Sequence, residues 1–324
     1  MAIKKPSELN FTGKNYIMIL AGRPGVGKTT LAESAPSPIV IDLEDGIARV
    51  EACYRGDAST VDDTMSDIDK YNAFIEDLKS PDMAQYKTII IDSLGKLIDL
   101  LTPVVIKESP ANAQKDGKTL SMKGYGAIKT KVKEFQKLIT SLHKNLIYVV
   151  HVTEFQDGDV TKTRINVAGS TKDSIWDDAD IGGYIEFVGK NRVIHFSPSE
   201  KWDAKGTHGI SGTYDIPELK SSKDGGSAKD NHFITDLFNT MTQNLIDEQK
   251  YVTNGETLYN EAMKLAPKIE AVTDVKGLNA VLAELKEVKH GLTSQKELQS
   301  KFKKKVDELG ATYDKDSKQY TVKA

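Results

Sequence analysis

Short apolar runs alternate with amphipathic segments over the first two thirds of the chain. The apolar runs are rich in Val and Ile and fall at 16–21, 38–43, 86–92 and 146–152. Such runs are typical of parallel strands that are buried on both faces of a sheet. The stretch 125–145 carries apolar residues at helical spacing, which predicts an amphipathic helix. The pattern therefore predicts an α/β fold with a parallel central sheet covered by helices.

The pattern changes in the last part of the chain. Residues 182–199 contain two strand-like runs around Gly-Lys-Asn, which predicts a β-hairpin. Residues 220–231 are rich in Gly, Ser and Lys, as linkers are. Beyond them the pattern is mainly helical and ends in a hairpin-like tail. We therefore predict an α/β domain over 1–219, a linker over 220–231 and a small, mostly helical C-terminal module over 232–324.

Composition excludes some classes of protein without selecting one. The net charge of −3 gives no overall attraction for nucleic acid, so any basic surface must be local. The single cysteine, Cys53, excludes a disulfide framework and a cysteine-rich zinc site. The first residues lack the apolar stretch of a signal peptide, and no run is apolar enough to span a membrane. We therefore expect a cytoplasmic protein with no membrane partner.

A glycine-rich motif joins the first predicted strand to the next helix. The sequence GRPGVGKTT matches G-x-x-x-x-G-K-[ST] at every fixed position. Backbone N–H groups of such a loop surround phosphate oxygens, the lysine reaches the β- and γ-phosphates, and the hydroxyl binds Mg²⁺. The motif predicts a nucleotide and Mg²⁺ held by Gly22, Arg23, Pro24, Gly25, Val26, Gly27, Lys28, Thr29 and Thr30.

A carboxylate ends the third apolar run. Asp92 is predicted to lie at the carboxyl edge of the sheet, beside the phosphate loop, where it would hold Mg²⁺ together with Thr29. The alternative is that Asp92 only caps the following helix. In ATPases of the AAA+ type, a glutamate directly follows the metal aspartate. Here Ser93 and Leu94 follow Asp92, so that base is absent.

Nucleotide hydrolysis still needs a group that orients the attacking water. Glu44, just past the second predicted strand, is the candidate, and its placement resembles that of the water-activating glutamate in RecA-like ATPases. Asp42 and Asp45 are rivals, but Asp42 falls within the strand run and Asp45 fits a helix cap. His151 ends the fourth apolar run, where a polar side chain faces the γ-phosphate in this architecture. The alternative for His151 is a structural histidine.

These elements, together with residues 164–206, resemble the phage-encoded, RecA-like single-strand annealing ATPases of the Sak type. The most distinctive part after the phosphate loop is DADIGGYIEF, which a hairpin and then Ala-Lys-Gly follow. The resemblance covers about residues 14–219. It implies a RecA-like P-loop NTPase core that hydrolyses ATP with Mg²⁺ in the bacterial host cytoplasm. It also implies binding of single-stranded DNA and assembly into rings or filaments with ATP at subunit boundaries.

The resemblance further implies a cation that reaches the γ-phosphate from the neighbouring subunit. Lys205, in the Asp-Ala-Lys-Gly segment, is the candidate, and Lys201 is the second choice. The alternative is that both are solvated hairpin lysines.

The stretch 107–133 gives independent support for DNA binding. It contains three glycines and seven lysines against only Glu108 and Asp116, which indicates a mobile, locally basic loop. Lys115, Lys118 and Lys123 are the candidates for phosphate contacts, and Tyr125 for stacking on a base. The alternative is a solvated surface loop. A second predicted loop, 153–175, carries mixed charge and no such signal.

Two other functions compete with recombination. One is a P-loop ATPase that acts on a protein partner, such as a helicase loader or a partition ATPase. A small-molecule kinase is disfavoured because no arginine-rich lid is visible. In the C-terminal module, the lysine run at 301–305 is a candidate contact for the acidic tail of a single-stranded DNA-binding protein. The alternative for that run is a solvated helix face.

Overall fold

The computed structural model describes residues 9–44, 53–55, 66–218 and 231–322. Asp45 and the predicted linker, except its last residue, lie outside this range. Among the described helices, none combines the length and apolar content that a membrane span requires.

A mostly parallel sheet forms the centre of the larger unit. Its described strands are β1 (Ile17–Gly22), β2 (Pro38–Asp42), β3 (Cys53–Arg55), β4 (Thr88–Asp92), β5 (Asn145–Asp157), β6 (Val160–Ile165), β7 (Ile181–Val188), β8 (Asn191–His195) and β9 (Thr213–Asp215). They run in the order β3-β2-β4-β5-β1-β7-β8-β9, with β6 paired to β5. All pairs from β3 to β7 are parallel, whereas β8, β9 and β6 pair antiparallel. The predicted α/β class and the β7–β8 hairpin are confirmed.

Helices cover both faces of this sheet because its strands are apolar on both faces. Ile89 and Ile91 point to one core and Ile90 to the other, and all three are fully buried. The described helices of this unit are α1 (Lys28–Ala32), α2 (Asp67–Lys79), α3 (Leu94–Glu108), α4 (Met122–Ser141), α5 (Thr171–Asp178) and the start of α6 (Phe233–Met263). The first core includes side chains of α2, α3 and α4, and the second includes side chains of α1 and α6.

The larger compact unit spans residues 12–243 and therefore extends beyond the predicted linker. The first turns of α6 belong to it because Ile234, Phe238 and Met241 are buried in the second core. Ser34 fixes the start of this helix, since its hydroxyl accepts the Ile234 N–H at 3.0 Å.

The smaller unit comprises residues 1–11 and 244–324 and has its own core. Besides the rest of α6, it contains α7 (Leu265–Glu270), α8 (Val275–Glu287), α9 (Ser294–Glu308), β10 (Ala311–Asp314) and β11 (Gln319–Val322). The last two strands form the antiparallel hairpin expected at the end of the chain.

The predicted loop at 107–133 is wrong in its extent. Residues 113–121 form a closed turn, in which the Gln114 N–H donates to the Thr119 carbonyl at 2.7 Å. Helix α4 then starts at Met122, and Ser121 caps it by accepting the Gly124 N–H. The glycines of this stretch indicated mobility, but the Ser121 cap and the buried stripe of α4 place the start of the helix at Met122.

The predicted loop at 153–175 is also wrong. Strand β5 continues to Asp157 and turns at Gly158, which has a φ of +63° and so suits glycine. The chain returns as β6 and then forms α5. The sequence did not predict this hairpin because its residues are mostly polar. The β5 residues past Val152 pair only with β6.

Two glycines of α4 test whether its first turn is ordered. Gly126 is exposed, and a methyl group added there would meet open space, so Gly126→Ala should stabilise the protein by roughly 0.5–1 kcal/mol. A Cβ at Gly124 would lie 2.1 Å from the Asn112 carbonyl oxygen, so Gly124→Ala should destabilise by about 1–3 kcal/mol. Urea unfolding of both variants measures the difference. A stabilising Gly124→Ala would show that residues 107–121 do not pack against α4.

Candidate nucleotide-hydrolysis site

The phosphate loop connects β1 to α1 as the motif predicts. Gly25 and Gly27 have φ angles of +79° and +84°, which favour glycine. Gly22 lies so close to β7 that an added Cβ would be 2.8 Å from the Ile185 carbonyl oxygen. Backbone geometry thus requires glycine at all three glycine positions of the motif.

Lys28 is buried inside this loop. It is 5% exposed, and its ammonium donates to the carbonyl oxygens of Gly22 and Arg23, both at 2.9 Å. Burial lowers its pKa to about 8, although the negative charges of Asp92 and Glu44 act in the opposite direction. A phosphate group at the loop would supply the negative charge that this desolvated cation lacks.

Thr29 and Asp92, which the sequence predicts to hold Mg²⁺, lie in contact. The Thr29 hydroxyl donates to an Asp92 carboxylate oxygen at 2.6 Å. Burial raises the pKa of Asp92, and the bond from Thr29 partly offsets that effect. Mg²⁺ prefers oxygen ligands and commonly takes only one or two from the protein beside phosphate oxygens. The hydroxyl and the carboxylate fit such an ion.

Glu44, the candidate for orienting the attacking water, lies next to His151. Its two carboxylate oxygens are 3.2 and 3.3 Å from His151 Nε2, and it also accepts a hydrogen bond from the Ser93 hydroxyl. Burial would raise the pKa of Glu44, but the hydrogen bonds from Ser93 and His151, together with the positive charges of His151 and Lys96, hold that pKa below its usual value. Glu44 is therefore ionised at neutral pH and able to accept a proton.

Asp42, the rival for this role, occupies a different position. It is 3% exposed and accepts the backbone N–H of Glu44 at 3.0 Å. Asp42 thus supports the chain at Glu44, whereas Glu44 itself reaches His151. The other rival, Asp45, lies outside the described residues.

Strand register brings these groups to one edge of the sheet. Strand β5 lies between β1 and β4, and its His151 pairs in register with Gly22 of the phosphate loop. Asp42 pairs in register with Asp92. Because β1, β2, β4 and β5 are parallel, these residues meet at the carboxyl edge where β1, β2 and β4 end, although β5 itself continues to Asp157. Ligands of open α/β sheets bind at this edge.

Two partners of the site carry no signal in the sequence. In the sequence, Ser93 is noticed only because it stands where AAA+ ATPases have a glutamate. In the structure, its hydroxyl donates a hydrogen bond to Glu44. Glu154, one charge of the predicted second loop, forms an ion pair with Arg23 of the phosphate loop. Only pairing across the fold brings these side chains together, so no local motif marks them.

Lys205 has partners within its own chain. Its ammonium donates to the carbonyls of Trp176 and Asp177, both at 3.0 Å, and so binds the end of α5. Lys201 is exposed. A reach into a neighbouring subunit stays a prediction for either lysine, and for Lys205 it requires these two bonds to break.

The four residues predicted to contact DNA lie around the start of α4. Lys115 and Lys118 are exposed on the closed turn, and Lys123 is exposed on the helix. Tyr125 is half-buried, and its ring packs near Gly169. This packing leaves only part of the Tyr125 ring accessible for stacking on a base.

Residues 14–208 match a family model described as an AAA domain. The chain belongs to this family of P-loop ATPases. The match includes the phosphate loop, Glu44, Asp92 and His151, and stops before the smaller unit. No curated protein matches the chain. The AAA-domain family supports nucleotide binding, and the resemblance to the Sak type stays a prediction.

Lys28→Ala should abolish ATP hydrolysis and weaken nucleotide binding. The substitution removes the buried cation opposite the β- and γ-phosphates. Turnover and the binding of a fluorescent ATP analogue are the measurements. Lys87→Ala, at an exposed lysine, is the control and should behave as the unmodified chain. Near-normal turnover of Lys28→Ala would exclude this loop as the site.

Glu44→Gln should separate binding from hydrolysis. The amide keeps the shape but loses the charge that accepts a proton, so ATP should bind while turnover falls about 10²-fold or more. Glu154→Gln is a matched control, because Glu154 is also near the phosphate loop but pairs with Arg23. It should change turnover only a few-fold. Equal turnover in both variants would mean that Glu44 is not the base.

Proposed function

We propose that this chain is a Mg²⁺-dependent ATPase that binds single-stranded DNA and anneals or pairs strands in phage recombination. The observation that carries the ATPase part is the contact of Glu44 with His151 beside Lys28, Thr29 and Asp92. The DNA part rests on the Sak-type resemblance and on Lys115, Lys118 and Lys123, for which the described part of the chain provides no ion pair.

In the proposed reaction, Lys28 exchanges its two loop carbonyls for phosphate oxygens of ATP. Thr29 and Asp92 would hold Mg²⁺, which neutralises charge on the phosphates. Glu44 orients a water molecule and accepts its proton as the water oxygen bonds to the γ-phosphorus and ADP departs. His151 and Ser93 keep the Glu44 carboxylate in place and ionised.

A short chain of contacts joins the hydrolysis site to the proposed DNA surface. The His151 carbonyl accepts the Asn166 N–H at 2.8 Å. The same segment then reaches Gly169, which lies against Tyr125 at the start of α4. A change at His151 on hydrolysis would therefore reach α4 through packed residues, which suits an ATPase whose DNA contact depends on the nucleotide.

Ion pairing divides the lysines near α4 into two groups. Lys131 pairs with Glu108 at 2.8 Å, and Lys133 pairs with Asp178 at 3.1 Å. Within the described chain, no ion pair involves Lys115, Lys118 or Lys123. These three cations are thus free to contact phosphates, which supports their proposed role.

We also propose assembly into a ring or filament with ATP at the subunit boundary. The support is the resemblance alone, with Lys205 or Lys201 as the cation in trans. A partner that is a single-stranded DNA-binding protein is part of the same proposal.

A second candidate function is an ATPase that acts on a protein partner. The observation that favours it is the ordered turn at 113–121, because a hydrogen-bonded turn lacks the mobility expected of a DNA-tracking loop. Failure of the unmodified chain to bind single-stranded DNA with ATP and Mg²⁺ present would favour this function.

Single-stranded DNA should stimulate ATP hydrolysis, and replacing Lys115, Lys118 and Lys123 together by alanine should reduce that stimulation. The variant should bind DNA more weakly, and the slope of log affinity against log salt should flatten by up to about 2. Hydrolysis without DNA should not change. The control triple variant, Lys87, Lys137 and Lys190 to alanine, removes as many exposed lysines elsewhere. Equal DNA affinity in both variants would exclude this surface.

A further inference from the structure

The smaller unit carries an apolar groove between α8 and α9. We call it the α8–α9 groove. Its floor is formed by Leu298 and Phe302, which are 0% and 7% exposed, and its sides by Leu282, Leu285 and Val306. Its volume is about 570 Å³. Sites that bind ligands typically enclose about 300–1,000 Å³. The groove is therefore large enough to take one or two side chains of a partner.

The groove is fixed by contacts within the smaller unit. Tyr320 closes one end, where its ring meets that of Phe302 edge-on at 5.6 Å. Asn279 donates to the Tyr320 carbonyl at 2.9 Å and accepts its N–H at 2.7 Å, which ties β11 to α8. A groove formed in this way loses little conformational entropy when it binds a ligand.

The charge around the groove is positive. Lys286 and Lys303 line it and are exposed, and the described lining residues include no aspartate or glutamate. Neither lysine forms an ion pair within the described chain. Their neighbours do, since Lys301 pairs with Glu270 and Lys305 pairs with Glu308. Lys286 and Lys303 thus remain available for a ligand beside the apolar floor.

We propose that the α8–α9 groove binds an acidic peptide segment of a partner protein that carries at least one large apolar side chain. The apolar side chain would lie on Leu298 and Phe302, and flanking carboxylates would contact Lys286 and Lys303. Such an occupant matches both the apolar floor and the cationic rim. The proposal deepens the proposed contact of the run 301–305 with an acidic partner, and it does not require the reaction at the phosphate loop or direct contact of this chain with DNA.

The test starts with a library of random twelve-residue peptides selected on the full chain. Enriched peptides should share Asp or Glu residues around a Leu, Ile, Phe or Trp. One such peptide is then synthesised with a fluorescent label, and its affinity is measured by anisotropy. Replacing its large apolar residue by alanine should abolish binding, and added salt should weaken it.

Charge reversal on the protein locates the site. K286E/K303E should weaken binding of this peptide at least about tenfold, because two attractive contacts become repulsive. K296E/K304E has the same change in net charge on exposed lysines that do not line the groove, and it should bind within about twofold of the unmodified chain. Thermal unfolding checks that both variants fold.

Three results would overturn the proposal. The first is a selection that enriches no acidic, apolar consensus. The second is equal loss of binding in the two charge-reversal variants, which would indicate a general charge effect. The third is a groove blocked by a second copy, seen as a dimer that K286E/K303E dissociates.

Discussion

The site depends on one constraint, the parallel register of β1, β5, β4 and β2. With β5 between the other strands, His151 lies beside Gly22, while Asp92 and Asp42 lie in register on the next pair. A shift of one residue would turn every side chain of a strand to the other face. The two apolar cores oppose such a shift because Ile89 and Ile91 fill one and Ile90 fills the other. Packing inside the two cores therefore fixes the relative positions of the candidate site residues.

The same edge of the sheet holds charged side chains whose burial is unfavourable when no ligand is bound. Lys28 is desolvated, and it uses the carbonyls of Gly22 and Arg23 as substitute acceptors. Asp92 is desolvated as well, and burial favours its neutral form. In the proposed reaction, phosphates and Mg²⁺ would supply the complementary charges, and relief of these two penalties would contribute to the binding free energy. Glu44 would then take the place of the glutamate that AAA+ ATPases carry after the metal aspartate, and Ser93 donates a hydrogen bond to it.

Much of this architecture could be predicted because parallel strands that are buried on both faces are apolar along their whole length. The four apolar runs that end near Gly22, Asp42, Asp92 and Val152 have this pattern. The ends of those runs also predicted Asp92 at the carboxyl edge, Glu44 just past the second strand and His151 at the end of the fourth run. The extension of β5 and its partner β6 were missed because their side chains past Val152 are mostly polar and pair only with each other. The start of α4 was not predicted because the glycines of this stretch indicated a mobile loop, and the helix cap at Ser121 was not recognised from the sequence. Ser93 and Glu154 became visible only once distant strands were paired.

Ion pairing determines which lysines of this nearly neutral chain are available to partners. On α4, Lys131 and Lys133 are bound to carboxylates, as Lys301 and Lys305 are on α9. A count of charges along the sequence cannot make this division, because Glu108, Asp178 and Glu270 are distant in the chain from the lysines that they neutralise. The cations that remain have different surroundings in the two units. Those around α4 stand on an exposed turn and helix end, which suits contacts with a phosphate backbone. Those of the α8–α9 groove flank a buried leucine and phenylalanine, which suits a ligand that brings an apolar side chain together with its negative charge.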